Sequence, residues 1–139
     1  MTNPDSRREV LIDILCDGDV IGARKVGREM ASGLGLGLAD QTRLATAISE
    51  LVRNVLIYAG KGWCGITADL GEAWRSITVR VEDHGPGIPD IARALTHGFS
   101  TGGGLGAGLP GAKRLMDEFD IQSRPGMTVV TISIRRRRT

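Results

Sequence analysis

The chain has 139 residues, of which 41% are hydrophobic and 24% are charged, and this composition is typical of one globular domain spanning residues 1–139. No apolar run approaches the ~20 residues that cross a bilayer, and the N-terminus shows no secretory pattern, so we expect a cytoplasmic protein without a membrane partner. Arginines 135–138 more than account for the net charge of +2, and aromatic residues make up 4%. We therefore expect a solvated basic tail at residues 135–139 and no nucleic-acid partner.

The first half of the chain predicts one strand followed by two helices. Alternating apolar residues over 10–14 indicate the strand. Apolar residues three and four apart predict a first helix over 20–30, which ends in the glycine-rich stretch 33–37. A second helix is predicted from Asp40, a candidate N-cap residue, to about Tyr58. Its apolar stripe consists of Leu44, Ile48, Leu51 and Val55.

The second half predicts two hairpins separated by a short helix, a glycine-rich stretch and a longer helix. The first hairpin turns at Gly71-Glu72 and the second at the Arg124-Pro125-Gly126 segment. The short helix is predicted from Pro89, whose missing N–H costs nothing at a helix start, and the longer one spans Leu109 to Phe119. We therefore expect an α/β fold in which helices pack on one face of a mixed or antiparallel sheet. The predicted hairpin strands are 63–70, 74–83, 119–123 and 127–134.

The densest glycine segment has seven glycines from Gly98 to Gly111. It lacks the lysine of a Walker A loop at the required position, no buried strand precedes it as in a Rossmann fingerprint, and the 28 residues after Gly111 are too few for a eukaryotic-type kinase. A glycine loop that leads into a helix presents free backbone N–H groups to an anion. The segment predicts either a loop that closes over phosphate groups or a disordered linker.

A second candidate site is the stretch EDHGPGIPD, in which Asp83 ends a predicted strand and Gly85 and Gly87 follow. Glycines let the backbone approach a flat ring, and a carboxylate accepts a hydrogen bond from an exocyclic amine such as that of adenine. An ordinary turn uses the same residue types. The stretch is therefore typical either of a base-recognition loop or of a simple turn.

A third candidate site lies on the second predicted helix. Glu50 and Asn54 are four residues apart on a face displaced from the apolar stripe, so they can flank the core and still face a ligand. Carboxylate and amide oxygens suit Mg²⁺, which prefers oxygen ligands and keeps several waters. The alternative is an exposed polar pair without a ligand.

In chain order, these three sites resemble the motifs of the GHKL superfamily of ATPases. The matching segments are Glu50–Asn54 for the E-x-x-x-N box, Asp83–Gly87 for D-x-G-x-G and Gly104–Gly108 for G-x-G-x-G. More narrowly, the stretches ISELVRN, EDHGPGIPDI and GFSTGGGLGAGLPGAKRLMDEF are similar to the RsbT-type switch kinases of bacterial stress modules, over nearly the whole chain. The resemblance implies a two-layer sandwich of the Bergerat type that binds ATP and Mg²⁺ under a lid.

The resemblance also implies roles for individual residues. Glu50 would be the general base, Asn54 a Mg²⁺ ligand and Asp83 the partner of the adenine amine. The remaining residues implied in nucleotide binding are Gly85, Gly87, Ser100, Thr101, Gly104, Leu105, Gly106, Ala107, Gly108 and Leu109.

This sequence departs from the family pattern at two points. Related kinases carry a lid arginine where this chain has glycines at 102–103, and Arg53 and Lys113 are candidates to replace its charge. Met127 stands in the usual place of a threonine near the adenine, which leaves Thr128 unassigned.

The function implied by the resemblance is that of a serine/threonine protein kinase. It would phosphorylate STAS-domain antagonists of the RsbS and RsbR kind in a stressosome, and after release it would activate a PP2C-type phosphatase such as RsbU. Two alternatives remain open. One is an RsbW-like anti-sigma factor that sequesters a sigma factor, and the other is a nucleotide-gated adaptor with negligible catalysis.

Overall fold

The computed structural model describes residues 6–96 and 108–138, and its centre is a five-stranded sheet with the strand order β1-β2-β3-β5-β4. All four strand pairings are antiparallel. The strands are β1 (Ser6–Ile14), β2 (Gly62–Leu70), β3 (Trp74–Asp83), β4 (Glu118–Arg124) and β5 (Met127–Arg137). The helices are α1 (Gly18–Gly33), α2 (Leu38–Tyr58), α3 (Ile91–Ala94) and α4 (Gly108–Leu115). Among the described residues, no helix combines the length and apolarity needed to cross a bilayer.

The core lies between one face of this sheet and the helices. Ile66, Val79 and Ile132 are neighbours in register on β2, β3 and β5, and all three are fully buried. The predicted stripe of α2 packs into the same core, where each buried Leu or Ile contributes about 2 kcal/mol through burial. The α/β fold with helices on one face of the sheet is therefore confirmed, and the sheet is antiparallel throughout.

Several predicted element boundaries are wrong. Helix α2 begins at Leu38, two residues before Asp40, with Gly37 at its N-cap, so Asp40 lies inside the first turn. Helix α3 begins at Ile91 because the Asp90 side chain caps it by accepting a hydrogen bond from the Arg93 amide at 3.0 Å. Helix α4 ends at Leu115, and Phe119 belongs to β4 instead, where it pairs with a residue of β5.

The expectation of a solvated basic tail is also wrong for residues 135–138. Arg135 and Arg137 belong to β5 and lie over the ring of Trp74, with the guanidinium carbons 4.3 and 5.5 Å from the ring centroid. Arg136 binds Asp40 through two hydrogen bonds of 2.9 Å and Asp117 through one of 2.8 Å. The residues that these arginines contact are distant in the sequence. The local composition of residues 135–138 is therefore the same as that of a free basic tail.

Candidate active site

A cavity of about 390 Å³ lies between α2, the end of β3, the loop that follows β3 and the first turn of α4. It brings together five of the predicted site residues, although they come from distant parts of the chain. These are Asn54, Asp83, Gly87, Gly108 and Leu109. The predicted contacts at Ser100, Thr101, Gly104, Leu105, Gly106 and Ala107 lie outside the described residues.

Asp83 is half-buried at the end of β3 and lines the cavity. Its Oδ1 accepts a hydrogen bond of 2.9 Å from the Gly85 amide, which leaves the second carboxylate oxygen for a ligand. Burial raises the pKa of Asp83, and this effect outweighs the opposing effects of the Gly85 hydrogen bond and of nearby His84. The site therefore holds a carboxylate whose charge is poorly solvated and which gains from a donor on a ligand.

The glycines that follow Asp83 are required by close contacts within the protein. Gly87 has a φ of +85°, and a Cβ there would overlap the carbonyl oxygen of Arg124. A Cβ at Gly85 would lie 2.6 Å from the Cβ of Ala59. The carbonyl of Gly85 also accepts a hydrogen bond of 3.0 Å from the amide of Gly126. The loop therefore packs against the residue that follows α2 and against the β4–β5 turn, which fixes its backbone at the cavity wall.

Glu50 connects the middle of α2 to the start of α4. Its Oε2 accepts a hydrogen bond of 2.8 Å from the backbone amide of Gly108, and its Oε1 lies 3.1 Å from Nη1 of Arg53. Gly108 lines the cavity, so the carboxylate is held directly against its wall. Arg53 and Lys113 are the two candidates to replace the charge of the lid arginine. Arg53 forms an ion pair with Glu50, whereas the Lys113 side chain is exposed on α4.

Asn54 lies one turn beyond Glu50 on α2 and faces the cavity. Its amide makes no hydrogen bond with any residue in the described part of the chain, so its oxygen is available to a ligand. A single neutral oxygen fits a Mg²⁺ ion that brings its own waters and phosphate ligands. It does not fit a metal held by protein side chains alone, and residues 6–96 and 108–138 contain no group of three or more His, Cys, Asp or Glu that could hold one.

Thr128 is a cavity residue that the sequence left unassigned. It is buried, lines the cavity and lies beside Asp83 in the pairing of β3 with β5. Its Oγ1 is 2.6 Å from Oγ of Ser123 on β4. Strand alternation is the signal that could have found it, because counting back in twos from the buried residues Ile132 and Val130 places Thr128 on the core face.

A second, more open cavity of about 440 Å³ lies between α1 and α2, and Glu50 borders it. Its charged lining consists of Arg24, Arg28 and Arg53 besides Glu50, so its charge is predominantly positive. Arg24 and Arg28 have no ion pair within the described residues. Glu50 therefore lies between a mainly apolar cavity on one side and a basic cavity on the other.

Comparison with known proteins agrees with this geometry. Residues 39–138 match the model of the histidine kinase-, DNA gyrase B- and HSP90-like ATPase family. The chain is 51% identical over 115 residues to the serine/threonine-protein kinase RsbT of Bacillus subtilis, covering 83% of this chain and 86% of that protein. It is 32% identical over 108 residues to an anti-sigma F factor of a Thermoanaerobacter species, covering 75% of this chain and 76% of that protein.

A solved structure supports the fold. The RsbU and RsbW domains of a Mycobacterium tuberculosis protein match with a TM-score of 0.66 at 19% identity, over 96% of this chain. This chain spans 33% of that longer one. With the fold, the cavity and the sequence similarity in agreement, the chain belongs to the histidine kinase-, DNA gyrase B- and HSP90-like ATPase family and, within it, to the RsbT-type serine/threonine protein kinases.

Proposed function

We propose that the main cavity binds ATP with Mg²⁺ and that the chain transfers the γ-phosphate to a serine or threonine of a STAS-domain antagonist. Kinase activity in a partner-switching pathway follows from membership of the RsbT-type family. One observation carries the proposed site: Asn54, Asp83, Gly87 and Gly108, from three separate segments, line one cavity, and the Glu50 carboxylate is held by an amide of its wall.

We assign the base end of the cavity to Asp83. The pocket around it is mainly apolar, with Val81, Ile88 and Val130 among its lining residues, and this suits a flat purine ring. The free oxygen of the Asp83 carboxylate would accept a hydrogen bond from the exocyclic amine of adenine. The other end of the cavity, at Gly108 and Leu109, is where the glycine-rich segment enters α4, and we assign it to the phosphates.

Asn54 lies on the wall between α2 and α4, where its amide oxygen would hold Mg²⁺. The bound ion would neutralise charge on the β- and γ-phosphates. The protein then contributes mainly position and charge, because phosphoryl transfer proceeds through a loose transition state. Asn54 binds and orients the nucleotide complex in this scheme and moves no proton.

We assign the general base to Glu50. Its carboxylate is accessible from the basic cavity between α1 and α2, and we propose that the acceptor hydroxyl approaches from this side. A base in hydrogen-bond reach of the incoming hydroxyl typically contributes about 10² to 10⁴ in rate. The proton of the acceptor hydroxyl would pass to the Glu50 carboxylate as the oxygen bonds to the γ-phosphorus and the bond to ADP breaks.

We extend the proposal to the partners that RsbT-type kinases serve. The acceptors would be RsbS- or RsbR-like STAS proteins assembled in a cytoplasmic stressosome. After their phosphorylation, the released kinase would activate a PP2C-type phosphatase of the RsbU kind. The positive lining of the second cavity supports a negatively charged acceptor surface.

The proposal is tested with purified protein, radiolabelled ATP, Mg²⁺ and a STAS protein whose gene lies near the gene for this chain. We expect label on the STAS protein with the wild type and a loss of about 10² to 10⁴ in rate for Glu50→Gln. Glutamine can still accept from the Gly108 amide but cannot take the proton. Glu72→Gln, in the exposed β2–β3 turn, is the matched control and should label at the wild-type rate.

Two results would contradict the assignment. Label transfer by Glu50→Gln at the control rate would remove Glu50 as the base. Tight ATP binding without any transfer by the wild type would identify a nucleotide-gated adaptor.

The 32% identity to an anti-sigma F factor supports a second candidate function, that of a nucleotide-dependent sigma-factor binder. The two functions predict different partners. Copurification of a sigma factor with the tagged chain, in an ATP-dependent manner, would favour this second function over the first.

A further inference from the structure

Three polar residues form a continuous row across the cavity end of the sheet. Asp83 on β3 pairs with Thr128 on β5, and Thr128 pairs on its other side with Ser123 on β4. Residues opposite each other in neighbouring strands point to the same face. Asp83 and Thr128 line the cavity, whereas Ser123 does not line it and contacts two residues that do, Thr128 and Ile88.

One of the two hydrogen bonds of Ser123 has a fixed direction. Its Oγ accepts from the backbone amide of Ile88 at 2.7 Å and lies 2.6 Å from Oγ1 of Thr128. An amide can only donate, so one acceptor position of Ser123 is already used. Neither hydroxyl makes another hydrogen bond within residues 6–96 and 108–138. Either hydroxyl can be the donor between Ser123 and Thr128, and donation by Ser123 leaves the Thr128 proton free for the cavity.

We propose that Ser123 is a positioning residue that sets the direction of the Thr128 hydroxyl. Ser123 accepts from Ile88 and donates to Thr128, and the Thr128 proton is therefore directed into the cavity. The cavity then presents two unlike groups side by side at its base end. The Asp83 carboxylate accepts a hydrogen bond, and the Thr128 hydroxyl donates one, either directly or through a water.

This arrangement predicts which base edge the site selects. Adenine offers an amine donor next to ring-nitrogen acceptors, which matches an acceptor beside a donor. Guanine carries a carbonyl acceptor in place of the amine, so it faces the Asp83 carboxylate with the wrong group. Ser123 would contribute to selectivity for adenine over guanine nucleotides without contacting the nucleotide, and this inference rests on the proposed ATP site.

The test is a set of calorimetric titrations with ATP and GTP. We expect Ser123→Ala to weaken ATP binding by about three- to ten-fold, the effect of one neutral hydrogen bond, and to leave GTP binding unchanged or slightly tighter. Ser123→Thr keeps the hydroxyl and should restore most of the ATP preference. The matched control is Ser133→Ala, which removes a serine hydroxyl bonded to Glu118 on the exposed side of β5.

A double-mutant cycle separates positioning from a merely structural role of Ser123. In a Thr128→Val background no hydroxyl is left to orient, so Ser123→Ala should no longer change the ratio of ATP to GTP affinity. An unchanged effect in that background would overturn the proposal, since Ser123 would then act only through the Ile88 loop. Equality of Ser123→Ala and Ser133→Ala in the wild-type background would overturn it as well.

These results are distinct from a failure of the proposed function. If the wild-type chain binds neither nucleotide, the proposed ATP site itself is wrong, and the role of Ser123 falls with it. If the wild type binds ATP and the cycle shows no coupling, only the role of Ser123 is lost.

Discussion

The carboxylate of Glu50 accepts a hydrogen bond of 2.8 Å from the backbone amide of Gly108. This contact joins the middle of α2 to the first residue of α4, 58 positions later in the chain. The proposed base and the first amide of the helix that follows the glycine-rich segment are therefore in direct contact. A substitution at Glu50 consequently acts on the structure as well as on the chemistry.

Removing the Glu50 side chain should destabilise the protein, whereas an isosteric amide should not. Glu50→Ala leaves a half-buried amide of Gly108 without its partner, and we expect the free energy of unfolding to fall by about 1–3 kcal/mol. Glu50→Gln keeps an oxygen acceptor and should stay within about 0.5 kcal/mol of the wild type. Urea denaturation measures both. Equal stability of the two variants would mean that the Glu50–Gly108 bond contributes nothing in solution.

Asp83→Asn should lose nucleotide binding without losing stability. The NH2 group of the asparagine side chain would face the exocyclic amine of adenine, and two donors cannot form a hydrogen bond. Loss of one hydrogen bond to a charged group predicts ATP affinity about 10- to 100-fold weaker. The melting temperature at neutral pH should be equal or higher, because burial disfavours the charged carboxylate. Asp69→Asn, at a partly exposed position of β2, should bind ATP as the wild type does. Parallel losses of binding and stability in Asp83→Asn would indicate a structural role instead.

The raised pKa of Asp83 gives opposite pH dependences for binding and stability. On acidification the carboxylate is protonated and can no longer accept from the base, so ATP affinity should fall at a higher pH than an ordinary aspartate would produce. The contribution of Asp83 to stability is fully present below its unfolded pKa and is lost as the pH rises through its folded pKa. Thus Asp83→Asn should exceed the wild type in stability at neutral pH, and the difference should shrink on acidification. Calorimetry and thermal melts over a pH series measure the two trends, and a flat binding profile would contradict the assignment.

The basic cavity between α1 and α2 should affect the protein substrate and not the nucleotide. We expect Arg24→Ala and Arg28→Ala to raise KM for the STAS protein several-fold while leaving ATP affinity unchanged. The effect should decrease at high salt, because exposed charges are screened. Lys25→Ala, exposed on the same helix but outside the cavity lining, is the control. An equal rise of KM in Lys25→Ala would mean that the effect depends on the net charge of the protein and not on the position of the arginines in the cavity.

Arg136 should stabilise the fold more than an exposed arginine normally does. Its guanidinium holds Asp40 of α2 through two hydrogen bonds and Asp117 through a third, and these contacts raise its pKa. We expect Arg136→Ala to lower the free energy of unfolding by about 1–3 kcal/mol. Arg136→Lys should recover only part of this, because an ammonium cannot make the paired contact with Asp40. Denaturation curves for these variants beside Arg138→Ala, which loses one hydrogen bond to Gly71, would test it.

Periodicity in the sequence was enough to predict the layers of the fold and the helix that carries Glu50 and Asn54. Apolar residues repeat with the period of α2 and alternate along β3, and burial follows this pattern in both elements. Strand β2 is instead buried without alternation over residues 64–68. Boundaries were harder, because the spacing of Leu115, Met116 and Phe119 also fits a helix. Pairing with β5 places Phe119 in a strand, and that pairing is not visible in local spacing.

Contacts between residues distant in sequence account for the other differences. Arginines 135–137 contact Trp74, Asp40 and Asp117, and no local sequence pattern predicts these contacts. Thr128 was not assigned from the sequence, because Met127 stands in the position where the family pattern has a threonine. In the sheet, Thr128 lies between Asp83 and Ser123. The polar row at the cavity is a product of strand register, which a motif read along the chain does not contain.

The strand order β1-β2-β3-β5-β4 also constrains how this protein is made. A growing polypeptide emerges with β4 before β5, yet β4 has no neighbour until β5 inserts between it and β3, whose partner residues lie more than 40 positions earlier. Such distant pairings are slow to form compared with local ones. Since β5 also supplies Thr128 to the main cavity, that cavity would be incomplete on a nascent chain until this strand is synthesised, and β3 would remain an open edge for chaperones in the meantime.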